Sequence, residues 1–313
     1  MKHLFIINPI AGKGNNGERL LGEISRVMEK AGANYECAVT KAPMDACRIA
    51  REACESGEEL RIYACGGDGT LNEVVNGAAG FENAAVTQYP CGSGNDFLKM
   101  FGNVDSFKNL EALMDGQVST MDLIDCNGRL SVNICSVGFD ARIGHDMIKY
   151  KHPPLISGKT AYIISAAVNI IKGIHLPYKV FMPDRQFDDN YSLIVFANGQ
   201  YYGGSFNPTP DAVPDDGLMD ILMVEKVSRF TVAKLIGRFA KGMYKKFPEL
   251  MRLYRHDTCT VRFDRPTGIN VDGEVLMCDN EAVFKISDKK INIFYPAGVT
   301  YKKNEEIQEK IAI

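Results

Sequence analysis

No segment of this 313-residue sequence is long and apolar enough to read as a membrane span. The longest uncharged candidate, Thr160 to Ile171, runs for twelve residues between Lys159 and Lys172, whereas a spanning helix needs about twenty. The start, Met1-Lys2-His3-Leu4-Phe5-Ile6-Ile7, offers a four-residue apolar run, too short for a signal-peptide core, so a cytoplasmic location is expected. Positive charge is not in excess: 36 basic residues face 39 acidic ones, for a formal net charge of -3. A nucleic-acid partner is therefore not expected, and any anion site must be local. The nine cysteines show neither CxxC nor Cys/His zinc spacing and read as reduced, buried thiols. The five histidines are scattered, and none is assigned to catalysis. There is no GxSxG elbow for a serine hydrolase and no GxxxxGK[ST] loop for a Walker-type NTPase. Internal repeats and low-complexity linkers are also missing.

What is there is 45% hydrophobic sequence in a chain longer than one core usually supports, so two domains are expected. Up to Tyr89 the apolar pattern alternates. Strands are predicted at Leu4 to Ile7, Tyr35 to Val39, Leu60 to Cys65 and Ala84 to Tyr89, and helices at Glu18 to Ala31, Pro43 to Cys54 and Leu71 to Ala79. Regular β-α alternation implies a doubly wound parallel sheet, with ligands beyond the carboxyl ends of its strands. The loops at those ends are rich in glycine: Asn8 to Gly17, Gly66-Gly67-Asp68-Gly69-Thr70 and Pro90 to Phe97. Such loops let backbone N–H groups approach an anion closely, and Asp68 would face a metal-bound phosphate. Thr70 and Glu73 have capping-box spacing, which predicts a helix start there with its positive dipole end toward the turn. From about Asn127 the pattern turns to alternating strands, including Leu130 to Val137 and Lys290 to Phe294, as in a β-rich second domain. Its helical exceptions are Lys159 to Lys172 and Ser228 to Tyr244. The latter is basic on one side, as a solvated face would be.

Gly12-Lys13-Gly14-Asn15-Asn16-Gly17 matches the GxGxxG of dinucleotide dehydrogenases. That reading leaves the other two Gly-rich loops, with Asp68 and Asp96, without a role. Taken together, Asn8-Pro9-x-x-Gly12, Gly66-Gly67-Asp68-Gly69-Thr70, Gly92-Ser93-Gly94-Asn95-Asp96-Phe97 and Val271-Asp272-Gly273-Glu274 resemble the diacylglycerol kinase catalytic-domain family. Asn198 to Gly204 and Pro214 to Asp220 also look like family segments, so the resemblance spans nearly the whole chain. Among lipid kinases the sequence is most similar to bacterial diacylglycerol kinases. Two departures are Leu98-Lys99, where many relatives have a small residue and Arg, and Thr209-Pro210-Asp211-Ala212.

The resemblance implies an α/β nucleotide-binding domain of phosphofructokinase/NAD-kinase type over residues 1–126. A β-rich, sandwich-like lipid-acceptor domain would follow over 127–294, with residues 295–313 returning to the first. It further implies ATP and Mg²⁺, and transfer of the γ-phosphoryl group to a lipid hydroxyl, most simply diacylglycerol to phosphatidic acid. Contact with the inner face of the membrane would be peripheral, and a homodimer is left open. ATP contacts are carried over to Asn8, Pro9, Ile10, Ala11, Gly12, Thr40, Gly66, Gly67, Asp68, Gly69, Thr70, Leu71, Asn72, Glu73, Ser93, Gly94, Asn95, Asp96 and Glu274. Asp272, otherwise an ordinary hairpin Asp-Gly turn, becomes the proton acceptor, with Asp68 its rival. Asp216, otherwise a surface turn, becomes the ligand of a structural Mg²⁺ with carbonyls of Val213 and Leu218. A NAD-kinase-like or other small-molecule kinase carries the same Gly-Gly-Asp-Gly turn and is the alternative, as is a nucleotide-sensing regulator.

Overall fold

The computed structural model describes residues 1–12, 16–139, 141–142 and 175–301. The first lobe alternates as predicted: β1 (Lys2–Ile7), α1 (Asn16–Ala31), β2 (Tyr35–Val39), α2 (Asp45–Glu55), β3 (Leu60–Gly66), α3 (Asp68–Ala78) and β4 (Ala84–Pro90), then α4 (Leu110–Met114) and β5 (Gln117–Met121). The second lobe contains β6 (Ile124–Cys126), β7 (Arg129–Ser131), β8 (Ile134–Gly138), β9 (Leu176–Met182), β10 (Arg185–Ala197), β11 (Met219–Glu225) and α5 (Arg229–Phe239). It continues through β12 (Met251–His256), β13 (Thr258–Arg262), β14 (Thr267–Val271), β15 (Glu274–Cys278) and β16 (Glu281–Ile286), before β17 (Ile291–Tyr295) returns to the first. The expected helix over Lys159 to Lys172 lies outside the described residues. Among those residues, no helix is long and apolar enough to cross a membrane.

The first sheet has the order β2-β1-β3-β4-β17-β5. It is parallel except for the last pair. Central strands β1 and β3 are buried on both faces, which is why they read as unbroken apolar runs. Phe5 stacks on Tyr63 at 4.2 Å between ring centroids, and Phe294 meets Tyr63 edge-on. The run Lys290 to Phe294, predicted as a strand of the second domain, belongs here instead. In β17, Ile291, Ile293, Phe294 and Tyr295 are buried, and the strand pairs in parallel with β4 and antiparallel with β5, inside the first sheet. An apolar run of that length says strand without saying which sheet.

The second lobe is an antiparallel sheet of eleven strands, ordered β15-β14-β8-β10-β9-β13-β16-β6-β7, with β11 and β12 branching from β10. One face buries Ile194, Phe196, Ile221, Ile269 and Phe284. The other buries Ile134, Val195 and Leu222 beneath Tyr244 and Phe239. Helix α5 starts where predicted, because the Ser228 side chain accepts the Thr231 N–H at 3.1 Å. The segment Leu130 to Val137, predicted as one strand, is interrupted between Ser131 and Ile134, and the interruption makes the site.

Candidate active site

Three loops at the carboxyl edge of the first sheet meet closely because they lack side chains. A Cβ on Gly92 would stand 2.5 Å from the Gly67 Cα, and one on Gly66 would stand 2.2 Å from Thr70 Oγ1. Asn8 Nδ2 donates to Thr70 Oγ1 at 3.0 Å, tying the first loop to α3. That bond explains a difference from the capping-box expectation. Helix α3 begins at Asp68, after Gly67, with no side-chain cap, since Thr70 faces Asn8 while Glu73 accepts from Ala46 N–H at 3.1 Å. Asp68 therefore sits in the first turn, where the helix dipole favours an anion. Its Oδ1 accepts the Phe97 N–H at 3.3 Å from the neighbouring loop. Burial, and then the adjacent Asp96 and the more distant Asp272, push its carboxyl up to about 6. A carboxylate raised in this way beside glycine-lined backbone is where the cation of a metal-bound triphosphate would be held. Asn8, Gly12, Gly66 to Glu73 and Ser93 to Asp96 all lie on or beside this edge. Thr40 is held there by its N–H to Ile7 O at 2.9 Å. Because the Gly92–Gly67 approach is backbone against backbone, Gly92→Ala must part the loops. ATP affinity by calorimetry should fall about five- to a hundredfold, for an overpacking cost of about 1–3 kcal/mol.

The second lobe meets this edge through the turn after β14. Asp272 has φ 48°, a left-handed conformation that Asp tolerates. Its carboxylate turns inward to accept five hydrogen bonds. Oδ1 takes Ser131 Oγ at 2.5 Å, Ile134 N–H at 2.9 Å and Asn133 N–H at 3.2 Å. Oδ2 takes Asn72 Nδ2 and Val132 N–H, both at 2.9 Å. The amides of Val132, Asn133 and Ile134 thus aim at one anion instead of at a strand partner, which breaks the predicted strand. Burial pushes the Asp272 carboxyl up, against the pull of Ser131, Asn72 and the backbone donors. Two residues on, Glu274 Oε2 pairs with Arg129 at 2.7 Å, and the same Arg129 nitrogen reaches Asn72 Oδ1 at 2.6 Å. Burial, with Glu73 and Asp272 nearby, raises the Glu274 carboxyl despite Arg129. Its Oε1 has no hydrogen-bond partner among the described residues.

A family model described as the diacylglycerol kinase catalytic domain matches residues 2–126, and one described as the YegS C-terminal NAD kinase beta sandwich-like domain matches residues 133–294. The chain belongs to the diacylglycerol kinase catalytic-domain family. A diacylglycerol kinase of Staphylococcus epidermidis is 28% identical over 311 residues, covering 98% of this chain and 95% of that protein. In fold, the kinase resembles the crystal structure of a diacylglycerol kinase from Bacillus anthracis str. Sterne, with a TM-score of 0.67 and 20% identity over 96% and 98% of the two chains. It also resembles an NAD kinase from Archaeoglobus fulgidus in complex with ATP, with a TM-score of 0.52 and 11% identity over 100% and 98%. Family membership makes the chain a phosphotransferase of the lipid-kinase type.

At the expected structural metal position of this kinase, Asp216 Oδ1 accepts the Leu218 N–H at 3.0 Å and Oδ2 accepts from Arg255. The Arg255 Nε pairs with Asp220 Oδ1 at 2.7 Å. The guanidinium supplies the positive charge that an ion held by Asp216, Val213 and Leu218 would bring, so this donor set does not fit Mg²⁺ as it stands. Among the described residues no group of three or more acids, histidines or cysteines could hold a metal. EDTA should therefore leave the wild-type melting temperature unchanged, while Asp216→Ala, which strips Arg255 of a partner, should lower it. A drop with EDTA in wild type that is lost in Asp216→Ala would restore the metal. Sequence reasoning passed over Arg129, Ser131 and Asn76, whose neighbours across the site are 50 or more residues away, and it marked Lys99 only as a departure from the family pattern.

Proposed function

We propose that this kinase transfers the γ-phosphoryl group of ATP, bound with Mg²⁺, to the hydroxyl of a diacylglycerol-like lipid, giving a phosphatidic-acid-type product. The observation that carries the reading is the hydrogen bond from Asn72 to Asp272. It joins the helix that opens on Gly66-Gly67-Asp68 to the Asp272-Gly273-Glu274 turn, so the triphosphate edge and the acceptor lobe share one cleft. Phosphoryl transfer asks the protein mainly for alignment and charge stabilisation, which such a junction supplies. Mg²⁺ would sit with the triphosphate against Asp68, shielding the charge that Asp68 and Asp96 crowd together. When bound, it would neutralise the transferring oxygens.

The roles within the cleft follow from which carboxylates still have acceptor capacity. With five donors on it, Asp272 is better suited to lock the lobes than to take a proton. Glu274, raised above its ordinary value and open at Oε1, suits the general base on the acceptor side. The deciding experiment is a labelled-ATP assay against a lipid panel in mixed micelles, with NAD as the small-molecule control. Product on glycerolipid alone supports the reading, and product on NAD alone replaces it. Glu274→Gln should lower kcat about 10²–10⁴-fold with Mg·ATP affinity nearly unchanged. If Glu274→Gln is fully active while Asp68→Asn loses turnover and still binds Mg·ATP, Asp68 is the base.

A further inference from the structure

One turn of the second lobe reaches back to the phosphate loops and encloses an anion of the first. Gly203, Gly204 and Ser205 have φ values of 59°, 84° and 94°. Such a conformation costs a serine on the order of 1–3 kcal/mol, so its surroundings must hold it. Tyr202 and Phe206 close the turn by exchanging N–H···O bonds of 2.9 Å. Successive left-handed residues aim their N–H groups at one point and form an anion nest. The anion in it is Asp96. Gly204 N–H donates to its Oδ2 at 2.7 Å and Ser205 N–H to its Oδ1 at 3.0 Å. Lys99 completes the arrangement, donating to Asp96 Oδ1 and to Ser205 Oγ, the latter at 2.7 Å. Asp96 is only 5% exposed, although Gly203 to Ser205 lie at the surface.

The N-terminal root of the turn is also fixed. A Cβ on Gly199 would stand 2.0 Å from Asn133 Oδ1, so the chain leading into the turn packs directly on Asn133. Asn133 Nδ2 donates to Tyr201 O at 2.7 Å, and the Asn133 carbonyl accepts the N–H groups of Asn198 and Gly199, both at 2.9 Å. The Asn133 N–H is one of the five donors to Asp272. The turn is thus tied at its base to the Asp272 lock and at its tip to Asp96, beside Asp68. A nearly buried carboxylate next to a second one needs compensating charge, and Lys99 is the cation that provides it.

We propose that Lys99 is a positioning residue that latches the 202–206 turn of the second lobe onto the nucleotide edge through Asp96, and so sets the cleft in which acceptor and phosphoryl group meet. The latch concerns the cleft assigned above and rests on that reading for its effect on turnover, but its existence does not depend on turnover. Without the ammonium, Asp96 keeps two backbone donors while losing its counter-charge and the link to Ser205. The turn then opens, and an acceptor misplaced by an ångström reacts far more slowly.

Hydrogen–deuterium exchange of the 202–206 segment tests this in the nucleotide-free protein. In Lys99→Met that segment should exchange about tenfold faster or more, while the β1 and β3 core stays at the wild-type rate. The kcat for lipid phosphorylation should fall about tenfold or more, with the KM for ATP within about twofold. Lys99→Arg, which can reach both Asp96 and Ser205, should restore exchange and kcat together. Ser205→Ala, at an exposed position, should shift exchange in the same direction by less. Wild-type exchange in Lys99→Met overturns the latch, and so does a loss of kcat that Lys99→Arg leaves unrepaired. Should the wild type phosphorylate no lipid, the functional reading fails, and the exchange result alone still decides the latch.

Discussion

Asp68→Asn should yield a protein that is both inactive and more stable than the wild type. The carboxyl of Asp68 stands at about 6 in the folded protein, against about 3.9 in an unfolded chain. Between those values the folded state binds a proton that the unfolded state has released. Stability therefore falls as pH rises from about 4 to about 6 and stays lowered above that. A shift of about two units corresponds to about 3 kcal/mol of penalty carried at pH 7. Asparagine keeps an oxygen for the Phe97 N–H and removes the charge, so most of the penalty disappears. In metal-free buffer the gain over wild type should be absent near pH 4, grow to about 2–3 kcal/mol by pH 7, and then level off. Turnover should fall by about 10²–10³-fold or more, because a preorganised charge at the reacting phosphate is gone. Denaturant melts across pH, paired with the lipid assay, check both halves. A variant destabilised at pH 7, or one that turns over normally, would show that Asp68 is not the crowded carboxylate of the site. Stability given up at one residue for function at that residue is the expected signature of a site that awaits a cation.

The asymmetry between what was legible in the sequence and what was not follows the length scale of each interaction. The strand, turn and helix around Asp68 lie within one continuous stretch, Leu60 to Ala78. Apolar runs and glycine spacing were therefore enough to place β1, α1, β2, β3, α3 and β4 to within a few residues. The same holds for the loop ending in Asp96 and the turn ending in Glu274. The use of the Asp272 carboxylate was not legible, because its donors Ser131 to Ile134 lie 138 to 141 residues away. In sequence those residues only continue an alternating strand. The Asp96 clasp spans 108 and 109 residues and is equally silent. Lys99 stood out as a departure from the family pattern, but nothing local says that it reaches Ser205. The return strand failed for a different reason. Ile291 to Tyr295 reads as a strand of either sheet, and only its pairing with β4 and β5 decides.

Asp272→Asn should uncouple the lobes, with a loss of stability that no neighbouring substitution reproduces. The backbone is not the obstacle, since φ 48° suits Asn as well as Asp. The obstacle is the donor count. With the amide oxygen in the place of Oδ1, the three bonds from Ser131, Asn133 and Ile134 survive. The NH₂ then stands where Oδ2 accepts from Val132 N–H and Asn72 Nδ2, so donors face donors. Asn72 cannot turn over to relieve this. Its Nδ2 also donates to Leu130 O at 2.8 Å, and its Oδ1 accepts from Arg129 at 2.6 Å and Asn76 at 3.2 Å. Placing the amide the other way round sets NH₂ against the Asn133 and Ile134 N–H groups. Each buried donor left without an acceptor costs about 1–3 kcal/mol, so the variant should lose about 2–5 kcal/mol. The segments around 130–134 and 198–202 should lose exchange protection together, because Asn133 joins them. Glu274→Gln, whose residue lies at the exposed rim of the same turn, should melt within about 0.5 kcal/mol of wild type. Comparing the two variants separates locking from proton transfer: Asp272→Asn should lose stability and turnover, and Glu274→Gln turnover alone. If Asp272→Asn melts like the wild type and loses only kcat, then its carboxylate takes the substrate proton, and the five donors serve to orient it.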